Sequence, residues 1–209
     1  MLFLFCWDKL LPYQAIRKDK YMMTVDFLPS IETERLLLEK PERSFDFATK
    51  MFEVVDANRD HILPWMDWAL PKITRRAEDD YNFALDADRA WKAGERFEYA
   101  IYDKTNKEFL GGIAAIKKGR TVDNQFELAY WLKKEACKKG YMQEAVKSLE
   151  NMLFDAGAKR LVIRNDVENI NSIKVAQNLG YQLEGIERNG RFSECLQKLT
   201  DINVFSKIK

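Results

Sequence analysis

The sequence predicts one α/β (mixed α+β) domain over residues 24–209, with a mixed sheet of about seven strands covered by helices on both faces. Three observations carry this. Apolar residues fall at helical spacing up to Trp91 and alternate from Phe97 onward, so helices give way to hairpin-connected strands. After Leu132, helix and strand patterns alternate as in a βαβ unit. No repeat, low-complexity segment or linker interrupts residues 24–209. The first half lacks strand–helix alternation, which separates the pattern from a doubly wound sheet.

Each element has its own local signature. RLLLEK (Arg35–Lys40) is a short apolar strand, and Pro41 opens a helix on which Phe45, Ala48, Met51, Phe52 and Val55 fall at helical spacing. HILPWMDWALP (His61–Pro71) is aromatic and broken by Pro64 and Pro71, so it reads as a structured loop or a short helix. Thr74 caps a second helix with Ala77, Tyr81, Ala84, Leu85, Asp88 and Trp91 mostly on one face, and Gly94 ends it. FEYAIYD (Phe97–Asp103), a KTNK turn and EFLGGIAAIKK (Glu108–Lys118) form a hairpin. Gly119–Asn124 turns the chain into a third alternating strand, Gln125–Leu132. A helix from about Tyr141 to Ala156 carries the stripe Ala145, Val146, Leu149, Met152 and Leu153, and Gly157 stops it. RLVIRND (Arg160–Asp166) is a strand, Asn169 or Asn171 caps a helix to Leu179, and Gly180 closes it. YQLEGIERN and LTDINVFSKI are the last strands.

Composition narrows the function. With 34 Lys+Arg against 33 Asp+Glu the formal charge is +1, which argues against nucleic-acid binding driven by net charge. The three cysteines, Cys6, Cys137 and Cys195, are far apart and odd in number, as in a reduced cytoplasmic protein. A single histidine, His61, excludes a His-rich metal site, and no metal is expected. No apolar run reaches the roughly 18 to 20 residues of a membrane span. Residues 1–23 read as an N-terminal extension ahead of the domain. They fit either an upstream start or an amphipathic segment docked through Leu2, Phe3, Phe5 and Trp7.

One stretch points to a ligand. KEACKKGYMQEAV (Lys134–Val146) comes after a strand and enters a helix through a single glycine, Gly140, behind Lys138 and Lys139. Strand, polar loop and helix N-terminus aim backbone N–H groups at a phosphate. A solvated turn is the plain alternative.

Three segments, ETERLLLEK, FELAYWL and NINSIKVAQNLGYQLEG (Asn169–Gly185), together resemble the GNAT acyl-CoA-dependent N-acetyltransferases. They are most similar to the RimJ/RimL type that acetylates ribosomal-protein N-termini. The resemblance spans roughly residues 30 to 208 and implies a single GNAT-like domain with a mostly antiparallel sheet and acetyl-CoA as co-substrate. The family loop reads Gln/Arg-x-x-Gly-x-Gly/Ala. Cys137 stands at its first position, Gly140 at the first glycine and Met142 at the last, so only Gly140 matches. The resemblance assigns the pyrophosphate to the backbone of Cys137, Lys138, Lys139, Gly140, Tyr141 and Met142, and the thioester carbonyl to a backbone N–H among Tyr130, Trp131 and Leu132.

Acetyl transfer needs a neutral amine, a polarised thioester and a proton for the departing thiolate. Glu127 is the expected base. It alternates with Phe126 and Leu128, on the sheet face of Ala129 and Trp131. Glu98 is the second candidate; for either, a cross-sheet ion pair is the plain alternative. Many GNAT enzymes place an acidic tyrosine four residues before the glycine of the last helix, where this chain has Ala176. The resemblance puts Ser172 in the acid's role and Asn169 on the pantetheine arm, although both are also ordinary helix N-terminal residues. Trp65, Met66 and Trp68, with Glu98, are expected to wall the acceptor site. His61 reads as structural, and Cys137 lacks a histidine beside it in sequence.

The resulting expectation is direct acetyl transfer to a primary amine, most simply a protein N-terminus, by a monomer or homodimer without membrane or nucleic-acid partners. A small-amine acetyltransferase, for a polyamine or antibiotic, and a degenerate acyl-CoA-binding module are the alternatives.

Overall fold

A computed structural model describes residues 27–73, 76–119 and 124–209. Strands β1 (Ser30–Glu32) and β2 (Leu36–Glu39) come first, then helices α1 (Phe45–Ala57), α2 (Arg59–Ile62) and α3 (Ala77–Lys92). Strands β3 (Arg96–Asp103), β4 (Phe109–Lys118) and β5 (Gln125–Leu132) complete the first half. The second half is α4 (Tyr141–Asp155), β6 (Arg160–Asp166), α5 (Ile170–Asn178), β7 (Gln182–Ser193) and β8 (Lys198–Ile208). The expected extension at residues 1–23 and the Thr74 cap lie outside the described residues.

The sheet has eight strands rather than about seven, in the order β1-β2-β3-β4-β5-β6-β8-β7. The added strand, β1, is three residues long, too short for a period of two to show. The first helix starts at Phe45, not Pro41, because Ser44 caps it: the Phe47 N–H donates to Ser44 Oγ at 3.2 Å. The aromatic segment becomes α2 and a 3-10 turn at Asp67–Ala69.

Among the described residues only β5 and β6 run parallel, and they stay paired only from Gln125↔Arg160 to Leu128↔Ile163. β5 continues against β4 as far as Leu132↔Gly111, and β6 continues against β8 as far as Asp166↔Ile202. β5 and β6 therefore diverge beyond Leu128. Glycines in β4 give Trp131 of β5 its room. A Cβ on Gly112 would sit 2.9 Å from the Trp131 indole nitrogen, and one on Gly111 would sit 2.2 Å from the Trp131 carbonyl oxygen.

The sheet separates two cores. Phe126 and Leu128 of β5 and Leu161 and Ile163 of β6 pack with Val146, Leu149 and Leu153 of α4. Leu149 and Leu153 are fully buried, stabilising by about 2 kcal/mol each. On the opposite face Phe47, Met51 and Val55 of α1 meet Ala84 of α3, Ala100 of β3 and Phe109 of β4. Each helix lies where its apolar stripe is satisfied, and the diverging strands are left open between the layers.

Candidate active site

The divergence of β5 and β6 opens a cleft of about 540 Å³. β5 contributes Glu127 to Leu132, and the next loop and helix start contribute Cys137, Lys138 and Gly140 to Gln143. The end of β6, the start of α5, the Trp65 segment and Arg191 complete it. Alternation along β5 gives the cleft two sides. Phe126, Leu128 and Tyr130 face the α4 and α5 core, whereas Trp131, and with it by parity Ala129 and Glu127, faces the α1 core.

The loop entering α4 is a cradle of donors. Lys138 has φ 61° and Gly140 φ 81°, so both visit the left-handed region, and Gly140 is the N-cap. Among the described residues, none accepts a hydrogen bond from the backbone N–H groups of Lys138 through Gln143. Six consecutive donors at the start of a 15-residue helix, with its dipole behind them, fit a pyrophosphate. Met142 does not obstruct the cradle, because its side chain is buried in the α4 core. Lys138 lines the cleft, but Lys139 does not. The Lys139 carbonyl instead accepts from Arg35 Nη1 at 2.9 Å.

Arg35 braces the loop from behind. Its Nε donates to Glu144 Oε2 at 2.7 Å and its backbone N–H to Glu144 Oε1 at 2.8 Å, while Thr33 Oγ1 donates to the same Oε1 at 2.6 Å. The ETER segment thus fixes the first turn of α4. Burial opposes the Glu144 charge, yet these donors hold its carboxyl below the ordinary value.

Across the cleft, the Tyr130 hydroxyl and Ser172 Oγ are 3.0 Å apart. Burial pushes the phenol up to about 12, so Tyr130 is a standing donor at neutral pH. Asn169 is the N-cap of α5: its Oδ1 accepts from the Ser172 backbone N–H at 3.1 Å. Ser172 is therefore the capped residue and not the cap. Ala176 is fully buried, and the phenol that lies beside Ser172 in the cleft belongs to β5.

Glu127 lies on the other side, with Lys118 Nζ 3.2 Å from its Oε2, and it lines the cleft beside Trp65, Met66 and Trp131. Two more expected residues, besides Lys139, are not brought to the cleft. Glu98 pairs with Arg96 at 3.0 Å and lines a separate small void with Phe47, Phe109 and Gly112. Burial raises its carboxyl to about 7 against the pull of Arg96. Trp68 sits behind the wall, edge-on to Trp131 with ring centroids 5.6 Å apart.

The family whose description is "Acetyltransferase (GNAT) domain" matches residues 35–182. The chain belongs to that family. It is an acetyl-CoA-dependent N-acetyltransferase. A comparison with curated proteins finds no match. Among solved structures, the microcin C7 self-immunity acetyltransferase MccE with acetyl-CoA and AMP is 22% identical, with TM-score 0.76 over 85% of this chain and 94% of that one. RimL, a ribosomal L7/L12 α-N-protein acetyltransferase in complex with coenzyme A, is 19% identical, with TM-score 0.78 over 86% of this chain and 97% of that one. The ribosomal-protein-S5-alanine acetyltransferase of Vibrio fischeri is 22% identical, with TM-score 0.76 over 86% and 96%. At these identities the likeness is one of fold.

In this GNAT domain the fold adds contacts that sequence order hides. His61 Nε2 lies 3.4 Å from Cys137 Sγ, although 76 residues separate them. Cys137 has no histidine beside it in sequence, and the fold brings one to it from α2. Burial lowers His61 and raises the Cys137 thiol, so the pair rests neutral and is not a thiolate–imidazolium couple. Asn165, Asp166 and Arg191 also line the cleft, and none was singled out from the sequence. Asp166 ends a strand and Arg191 comes after Asn-Gly, where the strand was expected to stop. No local pattern marks either. Among the described residues, no helix is long and apolar enough to cross a membrane.

Proposed function

We propose that this GNAT enzyme acetylates the N-terminal α-amine of a protein, of the ribosomal-protein type, by direct transfer from acetyl-CoA. The observation that carries the mechanism is that Glu127 and the Tyr130–Ser172 pair line one cleft from opposite faces of β5. The acceptor class draws support from RimL and the Vibrio fischeri enzyme, whose names specify ribosomal-protein acceptors.

In this reading the N–H groups of Lys138 and of Gly140 to Gln143 hold the pyrophosphate, and Asn169 and Ser172 border the pantetheine arm. Glu127 takes a proton from the incoming ammonium, and the freed nitrogen attacks the acyl carbon. The C–N bond forms as the C–S bond breaks. A backbone N–H of the diverging segment Tyr130–Leu132 stabilises the carbonyl oxygen. Ser172 gives its hydroxyl proton to the departing sulfur, the Tyr130 phenol resupplies it, and the second proton that the nitrogen sheds on becoming an amide returns through solvent to Tyr130.

The test is turnover with acetyl-CoA against peptides bearing free N-termini, polyamines and amine antibiotics, following thiol release and locating the acetyl group by mass spectrometry. Acetyl on a peptide α-amine supports the reading. Turnover with small amines alone overturns the acceptor, and acetyl-CoA binding without transfer to any amine overturns the catalysis.

A further inference from the structure

Two side chains in the cleft carry hydrogen-bonding atoms that the protein leaves unused. Asp166 is only 5% exposed, and its Oδ1 accepts from the Glu168 N–H at 2.9 Å. Its Oδ2 accepts no hydrogen bond, and the nearest cation, Arg191 Nη2, is 3.9 Å away, beyond hydrogen-bond reach. Arg191 directs both terminal nitrogens to the cleft wall, Nη1 to the Trp65 carbonyl and Nη2 to the Pro64 carbonyl at 3.1 Å. Its buried Nε has no partner. A buried carboxylate oxygen and a buried guanidinium N–H left unpaired each cost free energy, and in a cleft such atoms mark a ligand.

The backbone is shaped to bring Arg191 there. Glu187 pairs with Ile202 and Arg191 with Thr200, so Arg188, Asn189 and Gly190 stand opposite Asp201 alone. Asn189 has φ 53°, and its N–H donates to Asp201 Oδ1 at 2.8 Å, which pins the bulge. A Cβ on Gly190 would lie 3.0 Å from the Glu187 carbonyl oxygen, so only glycine passes easily. A bulge re-aims the next side chain, here toward the cleft.

Parity places the pair. Asp166 shares a face of β6 with Val162, and Val162 is registered with Glu127. Asp166 therefore stands on the Glu127 side, away from Tyr130 and Ser172. With Glu127 as the proposed base, that is the side on which the reacting amine would lie.

We propose that Asp166 and Arg191 form the acceptor subsite and read peptide backbone: Asp166 Oδ2 accepts the first amide N–H behind the reacting amine, and Arg191 Nε donates to a carbonyl of the same segment. One acceptor and one donor side by side complement the N–H and C=O of a peptide. A polyamine has an ammonium for Asp166 but no carbonyl for Arg191. The subsite rests on the proposed peptide acceptor and specifies how it is recognised.

The experiment compares a peptide acceptor with the same peptide N-methylated at its first amide, using wild type and Asp166→Asn. In the variant the amide oxygen keeps the Glu168 N–H, so its NH₂ group meets the peptide N–H donor to donor. N-methylation should lower wild-type kcat/KM about 10- to 100-fold, as losing a hydrogen bond to a charged group does. Asp166→Asn should lose as much with the plain peptide, lose little more on N-methylation, and keep its KM for acetyl-CoA. If the variant does not fold, the wild-type comparison stands alone. A loss under about threefold on N-methylation overturns the subsite and leaves the peptide acceptor standing. Wild type that acetylates small amines but no peptide overturns both.

Discussion

The hydroxyl oxygens of Tyr130 and Ser172 lie 3.0 Å apart, one from a strand and one from the first turn of a helix. They work as a single donor if Ser172 protonates the leaving thiolate. Ser172→Ala should then lower kcat about 100-fold, Tyr130→Phe should lower it comparably, and the double variant should be little worse than either. Additive losses in a double-mutant cycle would separate the two roles. Ser172→Ala should barely change the melting temperature, because Asn169 is the cap, whereas Asn169→Ala should cost about 1 kcal/mol.

Gly140→Ala tests the cradle. At φ 81° an alanine is strained by about 1 kcal/mol, and its Cβ would stand 3.3 Å from Arg35 Nη2. Stability should fall by that amount, and acetyl-CoA affinity measured by calorimetry should weaken as the loop shifts. Unchanged affinity in the folded variant removes the loop from the site.

The two glutamates should part ways. Glu127→Gln keeps acetyl-CoA affinity and loses turnover, most severely near neutral pH, where the amine is mostly protonated. Glu98→Gln should turn over at close to the wild-type rate, since Glu98 faces a separate void. Steady-state rates across pH for both variants decide the assignment, and an inactive Glu98→Gln beside an active Glu127→Gln reverses it.

Asp80 predicts a pH-dependent stability. Burial raises its carboxyl from 3.8 to about 7, with Asp79 adding and Arg59 opposing, and its Oδ2 has no hydrogen-bond partner. A folded-state value above the unfolded one means the folded state holds the proton longer. Its favourable contribution is present below pH 3.8 and lost as pH rises toward 7. Asp80→Asn should therefore stabilise the protein at pH 8, on the order of 2 kcal/mol, and do little near pH 3. Urea unfolding at the two pH values reads this directly, and an equal effect at both removes the titration.

What the sequence revealed and what it hid divide along a physical line. Periodicity fixes the face of a residue within its own element, so the sequence alone puts Glu127 opposite Leu128 and Gly140 at the mouth of α4. Periodicity does not say which elements lie side by side or where a sheet opens. Glu98 and Glu127 both occupy polar positions of alternating strands, yet only the strand at the divergence reaches the cleft. Arg35 and Glu144 meet across 109 residues, and Tyr130 meets Ser172 across 42. Such pairings come from sheet order, which each strand's own residues do not encode. Asn189–Gly190 reads locally as the end of a strand, but the partner strand carries the chain through it as a bulge.

Because β5 and β6 stay registered over only Gln125–Leu128 and Arg160–Ile163, the sheet has a rim in its own interior. Backbone amides of Ala129 to Leu132 that point away from β4 have no neighbouring strand to donate to. In heavy water they should trade hydrogen for deuterium like a peripheral strand, while Phe126 and Leu128 beside them stay slow. A ligand seated between the strands then leaves an island of retarded exchange near the middle of the protein. Occupancy can be followed there with no acetyl group ever moving.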